Sequence, residues 1–177
     1  MALGKDYADQ DCSLARALEL VGERWTLLII RDAFYGVRRY SDFITHLGVP
    51  RAVLAERLQT LTATGVLDKQ PCPEGSRREE YVLTEMGRRL WPAIHALSRW
   101  ASANLSTDGP TKLYVHATCG TRLDMVGVCP ECGGDPISPE DIEMRPVPGA
   151  RPNKRDDSIT RELERPRRLL EPLTVSV

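Results

Sequence analysis

The sequence predicts a mainly α-helical chain with a small β-wing, a winged helix-turn-helix, followed by a small zinc-ribbon-like, β-rich appendage. Three observations carry this. Leu54, Leu58 and Leu61 recur at i, i+4 and i+7 in a stretch that opens after Gly48 and Pro50; that is helical periodicity with a start signal. Two short β-type runs, 66–70 and 80–83, flank a turn over 71–78 rich in Pro, Gly, Ser and charge, the pattern of a two-stranded ribbon. Further on, His116-x2-Cys119 and Cys129-x2-Cys132 form two short chelating pairs nine residues apart, a spacing that can close a tetrahedral metal site.

Taken in order, residues 1–11 are polar and should be loosely ordered. A first helix begins near Cys12 with Ser13 as a plausible cap, and carries Leu14, Ala17, Leu18 and Val21 on one face until Gly22. A second, over 23–35, holds Trp25, Leu28, Ile29 and Phe34 and is apolar on more than one side, so it should be the most buried; Gly36 ends it. Ser41 can cap a third helix over 42–47. After the break at Gly48, a fourth helix over 50–62 has Pro50 in its first turn, where no N–H is needed. Its outer face carries Ala52, Ala55, Glu56 and Gln59, slim enough to enter a groove about 12 Å wide, that of the DNA major groove. The bland alternative is an amphipathic surface helix beside an ordinary hairpin.

Beyond the wing, Thr84 can cap a long helix over 85–103, in which Pro92 must kink the helix or delay its start. Leu90, Trp91, Ile94, Leu97 and Trp100 give it more apolar surface than a terminal helix normally carries, so it is expected to pack on a two-fold mate rather than only on its own core. The organisation is therefore 1–105 for DNA binding and dimerisation, a linker over 106–111, the ribbon over 112–145, and a flexible or extended tail over 146–177 with at most a short helix near 159–164.

With 177 residues, 41% of them hydrophobic, the chain can bury a core, and its net charge of -1 gives no bulk signal for nucleic acid. Positive charge is local, at Arg38, Arg39, Arg51 and Arg57 and around the wing at Lys69, Arg77 and Arg78. No apolar run reaches the ~18 residues of a membrane helix, and the N-terminus lacks the features of a signal peptide. A cytoplasmic location, with no membrane partner, is expected. There disulfides are disfavoured, and the three clustered cysteines read first as metal ligands.

Residues 12 to about 101 resemble the HxlR-type bacterial transcription regulators, winged-helix relatives of the MarR proteins. The motifs that carry the resemblance are Cys12; Leu18-Glu-Leu-Val-Gly22-Glu-Arg-Trp25-Thr-Leu-Leu-Ile-Ile-Arg31-Asp32; Gly36-Val-Arg38-Arg39-Tyr40-Ser41-Asp-Phe43; Leu54-Ala-Glu-Arg57-Leu58; and Tyr81-Val-Leu-Thr84-Glu-Met-Gly87-Arg. The resemblance implies a homodimer bound sequence-specifically to a partly palindromic double-stranded DNA operator, and no enzymatic activity; a repressor's role is expected beside it, and a small-molecule effector is unknown. Carried onto these positions, it makes Arg51 the first candidate for a base or phosphate contact on the recognition helix, with Ala52, Ala55 and Arg57 beside it. Arg38, Arg39 and Ser41 become backbone contacts, and Arg77 and Arg78 minor-groove contacts from the wing. Many members have Ser where Pro50 stands and a polar residue where Ala52 stands, which places more of the readout on Arg51 and on DNA shape.

His116, Cys119, Cys129 and Cys132 fit a structural zinc site, since four protein ligands leave no open position for catalysis. A metal-free knuckle with oxidative pairing of Cys119, and a redox- or metal-responsive switch, stay open beside it. Cys12 aligns with a cysteine that some relatives use to sense oxidants; a small buried residue at the dimer interface is the plainer reading. His46 is a possible phosphate neighbour and His95 a helix-face residue. The rival from another class is a protein-interaction module that uses the ribbon and tail.

Overall fold

A computed structural model describes residues 7, 9–72, 78–151 and 153–174 of the chain. Helix α1, Ser13–Val21, starts one residue earlier than a cap at Ser13 would place it. Cys12, not Ser13, is the N-cap, and it makes no side-chain capping bond. The helix buries Ala15 and Val21 and leaves Leu14 and Leu18 exposed. Helix α2, Thr26–Phe34, is the most buried, as expected, with Ile29, Ile30 and Phe34 out of solvent. It begins three residues after the predicted Glu23, because Trp25 precedes it in the left-handed region at φ 80°, an uncommon backbone for a bulky residue.

Helix α3, Tyr40–Leu47, is capped by the extended backbone of Arg39 rather than by Ser41. Gly48 ends it at φ 63°, its N–H reaching Ile44 O at 2.9 Å, the left-handed C-terminal turn for which glycine is suited. Helix α4, Arg51–Ala63, follows at once, and Tyr40 Oη donates to Arg51 O at 2.9 Å, fixing the start of the second helix of the helix-turn-helix.

Strands β1, Leu67–Pro71, and β2, Glu79–Leu83, form the antiparallel wing, in register from Leu67–Leu83 to Pro71–Glu79. Tyr81 N also donates to Arg38 O, so the Arg38–Arg39 loop lies along the wing's inner edge. The long post-wing helix is two pieces. Thr84 caps a single turn, α5 (Glu85–Arg88), accepting from Gly87 N, and Pro92 sits in the first turn of α6, Trp91–Asn104, whose start it delays.

The C-terminal part is a three-stranded antiparallel sheet, ordered β3 (Lys112–His116), β4 (Ile142–Pro146) and β5 (Arg167–Arg168). The tail, expected to be flexible or extended with at most a short helix near 159–164, holds that helix but is packed rather than free. A helix, α7 (Ser158–Glu162), and strand β5 bury Ile159, Leu163 and Leu169. The tail then closes on the winged helix: Leu170 N donates to Phe34 O at 2.7 Å and Leu173 N to Gly36 O at 2.9 Å. Gly36 is required there, since a Cβ on it would lie 1.8 Å from Glu171 O. Winged helix and appendage share one core, joined where the Trp91 ring meets Phe34 at 5.2 Å and Tyr114 edge-on at 5.0 Å.

Candidate nucleic-acid interface and metal centre

The fold turns α4 so that Leu54, Leu58 and Leu61 are buried, and Arg51, Ala52, Ala55, Glu56 and Gln59 are exposed. The leucine stripe is the anchor, and the opposite face is slim, as its residue types require. Arg51 projects from the first turn, and among the described residues its side chain has no hydrogen bond or ion pair. Its charge is therefore available to a phosphate or to a guanine edge.

The other predicted contacts divide. Ser41 is exposed, its hydroxyl 3.0 Å from Asp42 Oδ1. Arg39 and Arg38 sit beside the wing's inner strand; Arg39 lies 3.5 Å from Glu80. Arg38 donates to Leu170 O at 2.9 Å and lies 3.9 Å from Glu80, so much of its capacity is spent inside the fold. Arg57 is on the flank of α4, only 19% exposed, reaching Glu23 at 3.4 Å and Glu56 at 3.7 Å. Arg78 is exposed at the turn end of the wing, just before β2, and Arg77 lies outside the described residues. Cys12 is exposed at the start of α1, and Cys72 is buried under the wing, 3.6 Å from Glu80.

Both histidine expectations change. His46 Nδ1 lies 2.6 Å from the buried Asp32, whose other oxygen takes Arg31, so the imidazole serves an internal network rather than a phosphate. His95 is buried, not on a free helix face: its Nε2 donates to Asp124 O of the appendage at 2.8 Å. Sequence reasoning missed its role, although its place one turn after Trp91, next to Ile94, put it on the apolar side.

Burial holds the pKa of His95 below the ordinary histidine value, and its buried Nδ1 has no partner to receive a proton's charge. The unfolded chain therefore takes up a proton at higher pH than the folded chain. The stability His95 contributes is fully present above about 6.5 and is lost as pH falls through its lowered folded value. Urea titrations at stepped pH should show a shallower acid-side slope for His95→Gln than for the parent; equal slopes would contradict this.

The metal-ligand set comes together as its spacing predicts. His116 ends β3, Gly120 N bonds back to His116 O and Gly133 N to Cys129 O, both at 2.8 Å, making two tight knuckles. The donor atoms of His116, Cys119, Cys129 and Cys132 all lie within 4.8 Å of one another. His116 Nδ1 is 3.4 Å from the sulfurs of Cys119 and Cys132, Cys119 Sγ is 3.5 Å from Cys129 Sγ, and Cys132 is 3.7 Å from Cys119. A tetrahedron with zinc–sulfur bonds of ~2.3 Å and zinc–nitrogen bonds of ~2.05 Å has edges of about 3.8 Å between sulfurs and 3.5 Å between nitrogen and sulfur. The donor set thus fits a four-coordinate soft metal, and the sulfurs are too far apart for a bond of ~2.05 Å. The Thr121 hydroxyl and backbone N–H bring the Cys119 thiol down to about 6, and the neighbouring sulfurs push Cys132 up to about 11. A cation would remove that conflict by binding all three as thiolates.

A family model described as HxlR-like helix-turn-helix matches residues 20–109. The chain belongs to the HxlR-like helix-turn-helix family. It is 44% identical over 138 residues to the HTH-type transcriptional regulator Rv3095 of Mycobacterium tuberculosis, covering 77% of this chain and 87% of that protein. A match of that length cannot fit inside the winged helix, so it takes in part of the C-terminal segment. YtfH of Escherichia coli, also an HTH-type transcriptional regulator, is 33% identical over 103 residues, covering 58% of this chain and 81% of its own length. Among solved structures, the transcription-factor candidate PA1607 superposes with a TM-score of 0.61 at 33% identity, over 74% of this chain and 92% of its own. The redox regulator HypR in its oxidised form shares the fold, with a TM-score of 0.50 at 24% identity, over 54% of this chain and all of that one. This HxlR-type protein is thus a transcriptional regulator and not an enzyme, and among its described residues no helix is long and apolar enough to cross a membrane.

Proposed function

We propose that the protein represses transcription as a homodimer, setting two α4 helices in successive major grooves of a partly palindromic operator about 34 Å apart. The observation that carries this reading is α4 itself: an exposed slim face beginning at Arg51, whose side chain has no partner among the described residues, on a helix anchored by three buried leucines. Ser41 and Arg39 beside it supply phosphate contacts, with a lesser share from Arg38, which Leu170 O and Glu80 already hold; Arg78 at the wing, and Arg77 by sequence position, supply minor-groove contacts.

Dimerisation is supported by the apolar residues that the fold leaves outside. Leu97, Trp100 and Leu105 at the end of α6, and Leu14 and Leu18 on α1, are exposed, a load a second copy can cover. Cys12, exposed at the N-cap of α1, takes the plain role of a residue beside that interface. We further assign zinc to the His116–Cys119–Cys129–Cys132 set, in a structural role: with four protein ligands, its contribution is to hold the two knuckles together.

Fluorescence anisotropy on intergenic DNA near the protein's own gene, across a salt series and against scrambled duplex, tests the assignment, with sedimentation equilibrium reading the dimer. Specific binding at least ~10³ tighter than scrambled is expected. Arg51→Ala should lose ~1–3 kcal/mol of that discrimination, the cost of one bidentate base contact. If Arg51→Ala discriminates as well as the parent, α4 is not the reading element, and the protein-interaction reading of the ribbon and tail takes its place.

A further inference from the structure

A cavity of about 250 Å³ lies where α2, α6 and β3 meet. Three cations line it: Arg31 from α2, Arg99 from α6 and Lys112 from β3. The opposing charge is small. Asp32 is fully buried and already held by Arg31 at 2.6 Å and by His46. Glu164 reaches Lys112 only as a field from the adjoining groove. Lys112 gives one bond to Leu163 O, and its ammonium lies 5.6 Å from the centre of the Tyr35 ring. Arg99 has no ion pair among the described residues, and its buried Nε has no hydrogen-bond partner. Burial, with the positive charge of Arg31 added, pushes Lys112 down to about 8.

Uncompensated positive charge is costly away from bulk water, which applies chiefly to Lys112; Arg99 stands at the partly exposed mouth, with only its Nε buried. The cavity also carries apolar and hydrogen-bonding surface suited to an organic body, in the rings of Tyr35 and Tyr114, whose hydroxyls bond each other. Its volume is that of a small molecule rather than a peptide.

We infer that this cavity is a binding site for a small organic carboxylate, with Arg99 and Lys112 clamping the anion and the two tyrosine rings lying along its apolar body. Arg99 is the discriminating group, because its guanidinium offers paired donors to a carboxylate and the fold makes little use of them. A bound carboxylate would tie α6 to α2 and β3, the helix with the exposed Trp100 to the helix beneath the DNA-binding unit. The site itself is independent of the regulator assignment, since it can be measured without DNA.

Calorimetry on the full chain, with benzoate, phenylacetate and succinate as probes, tests it. Benzamide is the neutral isostere of benzoate, and inorganic phosphate is a compact anion. At least one carboxylate should bind with a Kd below about 1 mM, with benzamide and phosphate at least tenfold weaker. Arg99→Gln should weaken the carboxylate at least tenfold, the size of losing a hydrogen-bonded charge partner, with its melting temperature confirming the fold; Lys112→Met gives an independent second reading. No carboxylate binding up to 10 mM, equal binding of benzoate and benzamide, or parent-like affinity in folded Arg99→Gln would each overturn the site.

Discussion

Cys129→Ser, or removal of metal by a chelator, is expected to unlock the segment between β3 and β4 while α1 to α4 keep their fold. Between His116 and Ile142 the chain buries only two apolar side chains, Leu123 and Cys129. Ordering each residue of such a loop costs ~1–2 kcal/mol, far more than two buried side chains at ~1.5–3 kcal/mol each return. A four-ligand zinc site supplies an apparent ~10–16 kcal/mol at neutral pH in small zinc-binding modules, which is the scale the segment requires. Cys129 is the ligand to replace because it alone of the three clustered cysteines is buried. Chain purified under reducing conditions should hold one zinc per protomer by elemental analysis. In Cys129→Ser, amide hydrogens of Gly120, Leu123 and Gly133 should exchange at the rate of an open chain, while those of α2 stay protected. Metal-free native protein with unchanged protection in the variant would remove the zinc assignment. The disturbance should also reach α6, because Asp124, in the segment, accepts the His95 bond.

The elements that sequence made legible are those whose signals are local. The leucines of α4, the wing's two runs and the Cys/His spacing each lie within fewer than twenty residues, and each appears where expected. Helix starts were less legible: Ser13 and Ser41 are good capping types, yet the caps are Cys12 and Arg39, with extended backbone and no side-chain bond. Residue type cannot reveal a start fixed by packing. The tail's short helix was foreseen, but its packing was missed for a related reason. Ile159, Leu163 and Leu169 stand among prolines and charges with no sustained period, and what orders them is remote: pairing of β5 with β4 and the backbone bonds to Phe34 and Gly36. The same remoteness hid the partner of His46, since Asp32 lies fourteen residues away across a helix crossing. The cationic cavity was equally invisible, because Arg31, Arg99 and Lys112 meet only once three elements have docked.

Trp91→Ala is expected to be among the most damaging single substitutions, lowering stability by ~3–5 kcal/mol, the range for emptying a buried aromatic site. Against a typical total of ~5–15 kcal/mol, that is a third or more of what holds many domains folded. Trp91 is 1% exposed and lies against Phe34 of α2, His95 of its own helix and Tyr114 of β3, with ring centres 5.0–5.7 Å away. Its loss therefore leaves a void where the winged helix meets the appendage, and urea unfolding followed in both parts should shift together. Trp91→Phe should cost much less. It keeps an aromatic ring in the site and removes an indole N–H that is buried without a partner, a group that costs the fold something to keep. A loss below ~1 kcal/mol in Trp91→Ala, or unfolding of one part alone, would mean that the two parts do not share a core. In the sequence, Trp91 and Trp100 both belong to the apolar load of one helix. The fold separates them, one at 1% and the other at 51% exposure, so the first bears on folding, and the second lies on the face proposed above to meet a second copy.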